Sequence, residues 1–166
     1  MTRNIKTDPD KKDLEQIFNS IKSGKFKEAE KKVEKKLSVF PQSSILYNIY
    51  GASLAGQNQF SIAIEKYKKS ISLNPNYAEA YNNLGICFEK LKNYEESIIS
   101  FEKAILLKKN FAEAIKNLSV LCNNYGNILS KLGEFTAAHK KYTRAIEIRP
   151  DYHIAYSNLL FNLNFI

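Results

Sequence analysis

The residues best suited to chemistry in this chain are two histidines, two cysteines and a recurring set of asparagines. His139 and His153 fall in different predicted helices, and no cysteine or carboxylate accompanies them at metal-site spacing. There is no nucleophile-elbow pattern and no glycine-rich phosphate loop. Cys87 and Cys122 lack CxxC spacing, which indicates small buried thiols in a reducing compartment. We therefore predict no catalytic site, no metal and no cofactor.

The asparagines are more informative because they recur at matching places. Asn117 follows Asn83 at an offset of 34, and Asn158 follows Asn124 at the same offset. An amide offers both a donor and an acceptor, so a row of amides can pair with an extended peptide backbone whatever its side chains are. Alternatively, these amides are only a structural feature of the repeated unit, and the sequence leaves both interpretations open.

The elements that position these amides form a repeat. The offset from Gly51 to Gly85 is 34, whereas that from Gly85 to Gly126 is 41, and aromatic and proline landmarks show the same two offsets. One insertion of seven residues between positions 111 and 125 explains the difference. Seven residues are nearly two helical turns, so the insertion keeps the apolar face within about 20° of register and lengthens one helix by about 10 Å.

Within each unit the apolar residues are spaced as on helices. Tyr94, Ile98 and Phe101 step by four and then three residues, which is the period of an amphipathic helix. Short polar turns divide each unit into two helices, and Pro75 and Pro150 follow second helices because proline cannot continue one. Each unit is therefore predicted to be a helix, a tight turn and a second helix.

This pattern resembles the tetratricopeptide repeat, in which aromatic, Gly, Ala and Pro positions recur with a period of about 34 residues. Residues 82–85 (NNLG) and 145–150 (AIEIRP) are close to its consensus, and the resemblance covers about residues 11–163. It implies an all-α fold, an α-α superhelix or solenoid of antiparallel helix pairs with a terminal helix. We expect a flexible tail at 1–10, a degenerate first repeat at 11–43, repeats at 44–77 and 78–111, a fourth repeat with the lengthened first helix at 112–152, and a terminal helix or truncated further unit at 153–166.

The last residues resemble something more particular. Residues 155–165 are similar to the segment that joins the repeat array to the transferase domain of O-GlcNAc-transferase-like glycosyltransferases. The chain also stops on an apolar stripe that includes Leu159, Leu160 and Leu163, without the polar capping helix that a solenoid end requires. The resemblance implies a repeat module that belongs to a longer protein.

In arrays of this family the first helices form a concave wall, and outward-facing residues there select the ligand. A ladder of asparagines similar to the one above lines the groove of O-GlcNAc transferase and recruits varied substrates. The predicted peptide-binding set is Asn48, Glu79, Asn82, Asn83, Ile86, Asn117, Asn123, Asn124, Asn127 and Asn158. Chaperone-binding members instead clamp a terminal carboxylate with converging Lys and Arg. The aligned positions here carry Asn, Ile, Ala and Glu, which disfavours such a clamp.

Bulk properties limit the partners. The formal net charge is +8, but the excess is spread as +4 over residues 1–40, +2 over 41–118 and +2 over 119–166, which disfavours a nucleic-acid surface. No signal peptide and no membrane span are apparent, so we predict a cytoplasmic chain that binds a protein or peptide. The alternatives are a stand-alone adaptor, or a scaffold that self-associates through its apolar terminal helix. A basic surface that binds nucleic acid is the least favoured alternative.

Overall fold

A computed structural model of the chain describes residues 8–166, and every regular element in that range is helical. The predicted all-α solenoid of antiparallel helix pairs is confirmed. Residues 1–7 of the predicted N-terminal tail lie outside the described residues. The helices are α1 (Lys11–Lys22), α2 (Phe26–Leu37), α3 (Ser44–Gly56), α4 (Phe60–Leu73), α5 (Ala78–Lys90), α6 (Tyr94–Leu107), α7 (Ala112–Lys131), α8 (Phe135–Ile148) and α9 (His153–Asn162), followed by a 3-10 turn at Leu163–Phe165.

Polar side chains fix where the first units begin. The Asp10 carboxylate accepts a hydrogen bond from the backbone N–H of Asp13 at 2.8 Å, at the start of α1. The Ser43 hydroxyl accepts from the N–H of Leu46 at 3.2 Å, at the start of α3. Such caps satisfy backbone donors that have no partner inside the helix. They therefore set the register of both helices.

Each helix pair is closed by a three-residue turn whose central residue has left-handed backbone. The four central residues are Gly24 (φ 72°), Asn58 (φ 61°), Lys92 (φ 63°) and Gly133 (φ 79°). Glycine adopts this conformation without a steric penalty, whereas a residue with a Cβ pays roughly 1–2 kcal/mol. The chain therefore reverses at the same place in each unit even where the sequence supplies a lysine.

Within three of the pairs, a glycine of the first helix lies directly under an aromatic ring of the second. A Cβ added to any of these glycines would approach the facing ring to between 2.6 and 2.7 Å. Real Cβ atoms do not come so close, so only glycine permits this packing. The pairs are Gly51 with Tyr67, Gly85 with Phe101, and Gly126 with Tyr142.

Helix α7 has 20 residues, whereas α3 and α5 each have 13. Its first turns pack on α6, where Ala114 and Ala104 share a buried cluster. Its later turns pack on α8 through the contact of Gly126 with Tyr142. The seven additional residues therefore shift α8 along α7 by about 10 Å, at 1.5 Å per residue.

The first unit departs from the repeat pattern at Lys36. The equivalent residues of α6 and α8 are Ala104 and Ala145, and both are completely buried. Lys36 is only half-buried, and its ammonium pairs with the carboxylate of Asp13 on α1. The ion pair thus allows a long charged side chain at a position that is otherwise small and apolar.

Candidate functional site

The predicted asparagines form two columns on the first helices, and hydrogen bonds join one column to the other. The inner column is Asn48, Asn82 and Asn123. The outer column is Asn83, Asn117, Asn124 and Asn158. Each bond runs from an outer Nδ2 to the inner Oδ1 that lies 35 positions earlier in the chain: Asn83 to Asn48 at 3.0 Å, Asn117 to Asn82 at 3.1 Å, and Asn158 to Asn123 at 2.8 Å.

The inner column is not outward-facing, and that part of the sequence prediction is wrong. Asn48, Asn82 and Asn123 are only 7%, 1% and 2% exposed. Their Nδ2 groups are also occupied, since Asn48 donates to the Tyr77 hydroxyl at 3.3 Å and Asn82 donates to the Glu113 carboxylate at 3.3 Å. A buried amide needs such partners, so these residues hold neighbouring repeats together.

The outer column keeps unused hydrogen-bonding capacity. Asn83, Asn117 and Asn158 are half-buried, and each donates through Nδ2. Their three Oδ1 atoms accept no hydrogen bond from any residue in the range 8–166. Asn124 is exposed, accepts from Asn123 at a long 3.5 Å, and makes no donation within the same range. The accessible row therefore offers three free acceptors and one free donor.

The lengthened helix divides the outer column into two segments. Asn117 and Asn124 lie on the same helix, α7, seven residues apart. Their separation along the helix axis is therefore about 10 Å. Asn117 is hydrogen-bonded to Asn82 on α5, whereas Asn158 on α9 is hydrogen-bonded to Asn123, which also lies on α7. A ligand that contacts both segments must advance along α7 between them.

The remaining predicted residues lie beside the columns. Glu79 is half-exposed and accepts from the Lys108 ammonium at 2.9 Å, which lowers the pKa of its carboxyl. Ile86 is half-buried and packs against a core cluster. Asn127 accepts from the Tyr142 hydroxyl at 2.8 Å. It shares an open cavity of about 270 Å³ with Asn158, so the structure brings these two predicted residues together.

Two residues at this surface were missed by the sequence prediction. Glu113 accepts from Asn82 and follows Glu79 at the same offset of 34, so the repeat alone would have identified it. Lys131 lines the small cavity that contains Asn127, but it is the last residue of α7 and carries no comparable signal. Phe161 lines the same cavity, at the position of the terminal helix that the repeat aligns with Asn127.

The groups with catalytic potential are dispersed. Cys87 and Cys122 are free and buried, and burial raises the pKa of each thiol to about 11. His153 is exposed on α9, and His139 is half-buried on α8. Within the described part of the chain no three His, Cys, Asp or Glu residues are grouped to hold a metal ion.

No helix between residues 8 and 166 combines the length and the apolar character needed to cross a lipid bilayer.

Solved structures share this fold at low sequence identity. A crystal structure of MamA protein is 23% identical, covers 92% of this chain and 80% of its own, and has a TM-score of 0.68. The first TPR of Spaghetti (RPAP3) bound to HSP90 peptide SRMEEVD is 24% identical over 66% of this chain and 86% of its own, with a TM-score of 0.62. The second TPR domain of human RPAP3 in complex with HSP70 peptide SGPTIEEVD is 18% identical over 66% and 91%, with a TM-score of 0.61.

Family models match most of the repeated region. A model described as TPR repeat matches residues 51–92, and tetratricopeptide repeat models match residues 78–111 and 119–152. The interval between the last two, 112–118, is seven residues long, the length of the insertion. No curated protein sequence matches the chain. Together the three matches span more than half of its residues, and the chain belongs to the tetratricopeptide repeat family.

Proposed function

We propose that this chain is a protein-interaction module that binds an extended peptide along the outer column. The observation that carries the proposal is the row of free Oδ1 atoms on Asn83, Asn117 and Asn158. Each of these amides is held in place by its donated hydrogen bond, so the free oxygen is oriented before a ligand arrives, which reduces the entropic cost of binding. Two structures with the same fold contain bound peptides, which supports this class of function.

The spacing of the column suits a peptide backbone. Packed helices lie about 8–10 Å apart, and an extended chain advances about 3.3 Å per residue. Adjacent first helices therefore present one amide for roughly every three residues of ligand. The free Oδ1 atoms would accept from ligand N–H groups, and the free Nδ2 of Asn124 would donate to a ligand carbonyl. Recognition through the backbone permits many side-chain sequences.

The charges along the column do not favour acidic C-terminal peptides. Glu79 and Glu113 flank the asparagines of α5 and α7. A clamp for a terminal carboxylate needs converging Lys or Arg, and the predicted contact set contains neither. The peptide SRMEEVD, bound by a structural neighbour, is therefore expected to bind this chain poorly.

A peptide array tests the proposal. The wild type and an Asn83→Ala/Asn124→Ala variant are compared on the same random peptides, with SRMEEVD included. A control variant, Asn93→Ala/Asn110→Ala, removes two exposed amides that lie outside the first helices. We expect the column variant to lose most bound peptides and the control to retain them. Equal binding by all three proteins would show that the column is only structural.

A second candidate is association between copies of the chain, and the apolar end of the structure favours it. Leu160, Phe161 and Ile166 are each more than half exposed. Phe161 also contacts the ring of Phe165, with the centroids 5.3 Å apart, and contiguous exposed apolar patches mark interaction sites on soluble proteins. Light scattering of the wild type and Leu160→Lys tests this function. A wild type that stays monomeric at all concentrations would eliminate it.

We further propose that the chain has no catalytic role of its own and recruits substrates for a glycosyltransferase-like protein in the cytoplasm. The similarity of residues 155–165 to a repeat-to-transferase junction supports the link to a glycosyltransferase. The two free buried thiols fit a reducing compartment such as the cytoplasm. Sequencing the gene beyond the codon for Ile166 tests the transferase context. A stop codon at that point would remove it.

A further inference from the structure

The insertion in α7 displaces α8 relative to α6 in the layer of second helices. We call this displacement the step. In the preceding repeat, Leu107 at the end of α6 packs against a buried cluster that contains Ala78, the first residue of α5. Ile148 is the equivalent residue of α8, but it lies beside Leu118, in the seventh position of α7. The shift of α8 therefore leaves the first two turns of α7 without a facing second helix from their own repeat.

An open cavity of about 510 Å³ occupies this step. Five aliphatic side chains line it, from three helices: Ile105 and Leu106 of α6, Ile115 and Leu118 of α7, and Ile148 of α8. Cavities of roughly 300–1,000 Å³ with mainly apolar linings are the usual size and character of binding sites. Leu106 is 69% exposed, so part of the lining meets water in the isolated chain.

The charged edge of the cavity is already neutralised. Two ion pairs join α6 to α8, Lys141 with Glu95 at 3.1 Å and Arg144 with Glu102 at 2.9 Å. Glu102 and Arg144 form the edge, and beyond them toward the ends of both helices the lining is aliphatic. A ligand in this cavity therefore needs no charged group at the edge, and apolar side chains of the ligand are complementary to the aliphatic lining.

The surroundings and the shape specify the rest of the occupant. Lys103, Lys109 and Lys116 lie within three residues of lining positions and form no ion pair with any residue between 8 and 166, so they can attract carboxylates outside the apolar contact. Three helices contribute to the lining, and the seven-residue displacement of α8 along α7 corresponds to about 10 Å of helix. Such a groove accepts the apolar face of a short amphipathic helix.

We propose that this cavity is a second docking site, which binds an acidic amphipathic helix from a partner protein. Its anchors are two apolar side chains one helical turn apart. The site is separate from the asparagine columns, because no asparagine lines it, although α7 contributes Ile115 and Leu118 to the lining. Peptide and helix ligands therefore bind independently.

A displayed library of 14-residue helical peptides tests the site, with apolar, alanine and glutamate residues randomised on one face. Leu106→Lys changes an exposed residue and should leave the fold intact. Ile99→Lys is the matched control, because Ile99 is 65% exposed on the same helix but does not line the cavity. We expect the selected peptides to contain both apolar anchor residues and carboxylates. Their affinity for Leu106→Lys should be at least tenfold lower than for the wild type. Their affinity for Ile99→Lys and for Asn83→Ala/Asn124→Ala should equal that for the wild type.

A deletion of residues 119–125 provides a second test. It joins Leu118 to Gly126 and restores the sequence NLG at the regular period, which removes the step. Selected peptides should no longer bind this variant, while it still melts cooperatively. Failure to enrich peptides over the Leu106→Lys background, or binding unaffected by Leu106→Lys, would overturn the proposal. A wild-type dimer that Leu106→Lys dissociates would also overturn it, because a second copy would then be the occupant.

Discussion

The Nδ2 of Asn117 on α7 donates to the Oδ1 of Asn82 on α5 at 3.1 Å, and each of these amides has a different role. Asn82 is buried and uses both ends of its amide inside the protein. Asn117 is half-buried and keeps its oxygen free. One hydrogen bond thus connects the register of the repeats with the surface that is proposed to bind a ligand.

The inner column should contribute to stability and the exposed part of the outer column should not. Asn82→Ala removes the acceptor of Asn117 and the donor to Glu113, so we expect it to lower the free energy of unfolding by about 1–3 kcal/mol. Asn124→Ala changes an exposed amide and should alter it by less than about 0.5 kcal/mol. Urea unfolding measures both. Similar losses in the two variants would contradict the division into columns.

The contact of Gly85 with Phe101 should tolerate no added methyl group. Gly85→Ala would place a Cβ 2.7 Å from a fully buried ring. Overpacking costs about 1–3 kcal/mol, which offsets or exceeds the roughly 1 kcal/mol that alanine gains over glycine in a helix. Thermal melting should show a loss for Gly85→Ala and partial recovery when Phe101→Leu is added. Phe101→Ala alone should cost about 3–5 kcal/mol. A Gly85→Ala protein that is more stable than the wild type would refute this packing.

The turn between α5 and α6 should be improved by glycine. Lys92 has φ 63°, and replacing it with glycine relieves a left-handed conformation that costs a residue with a Cβ roughly 1–2 kcal/mol. We expect Lys92→Gly to raise the melting temperature. Gly133→Ala makes the reverse change at φ 79° in the turn before α8 and should lower it. The turn geometry is wrong if both substitutions act in the same direction.

The two thiols should react slowly in the folded chain. Burial raises the pKa of Cys87 and Cys122 to about 11, so only a small fraction is thiolate at pH 8, and the thiolate is the reactive form. A colorimetric disulfide reagent at pH 8 should modify neither thiol rapidly in buffer and both in urea. Rapid modification of the native protein would show that the helices around these residues open.

Local spacing was enough to predict most of the fold. Gly51, Gly85 and Gly126 recur with the aromatic residues that cover them, and the two unequal offsets between these glycines reveal the insertion from the sequence alone. The division of the asparagines was not predictable in the same way. Asn82 and Asn83 are adjacent in the sequence, and only the packing of α5 against α7 determines which one is buried. The cavity beside Leu106 likewise depends on how far α8 shifts along α7.

Backbone recognition by the outer column is the central claim, and an N-methyl scan of the tightest array peptide tests it most directly. Each backbone N–H is methylated in turn, and the affinity of each peptide is measured by calorimetry. One net hydrogen bond is worth about 0.5–1.5 kcal/mol, or roughly a two- to tenfold change in affinity. We predict losses of that size at the N–H groups opposite Asn83, Asn117 and Asn158, about three residues or a multiple of three apart. In the Asn83→Ala/Asn124→Ala variant the loss opposite Asn83 should disappear, because Asn124 offers a donor and no free acceptor. A profile without this spacing, or an identical profile in both proteins, would contradict the account.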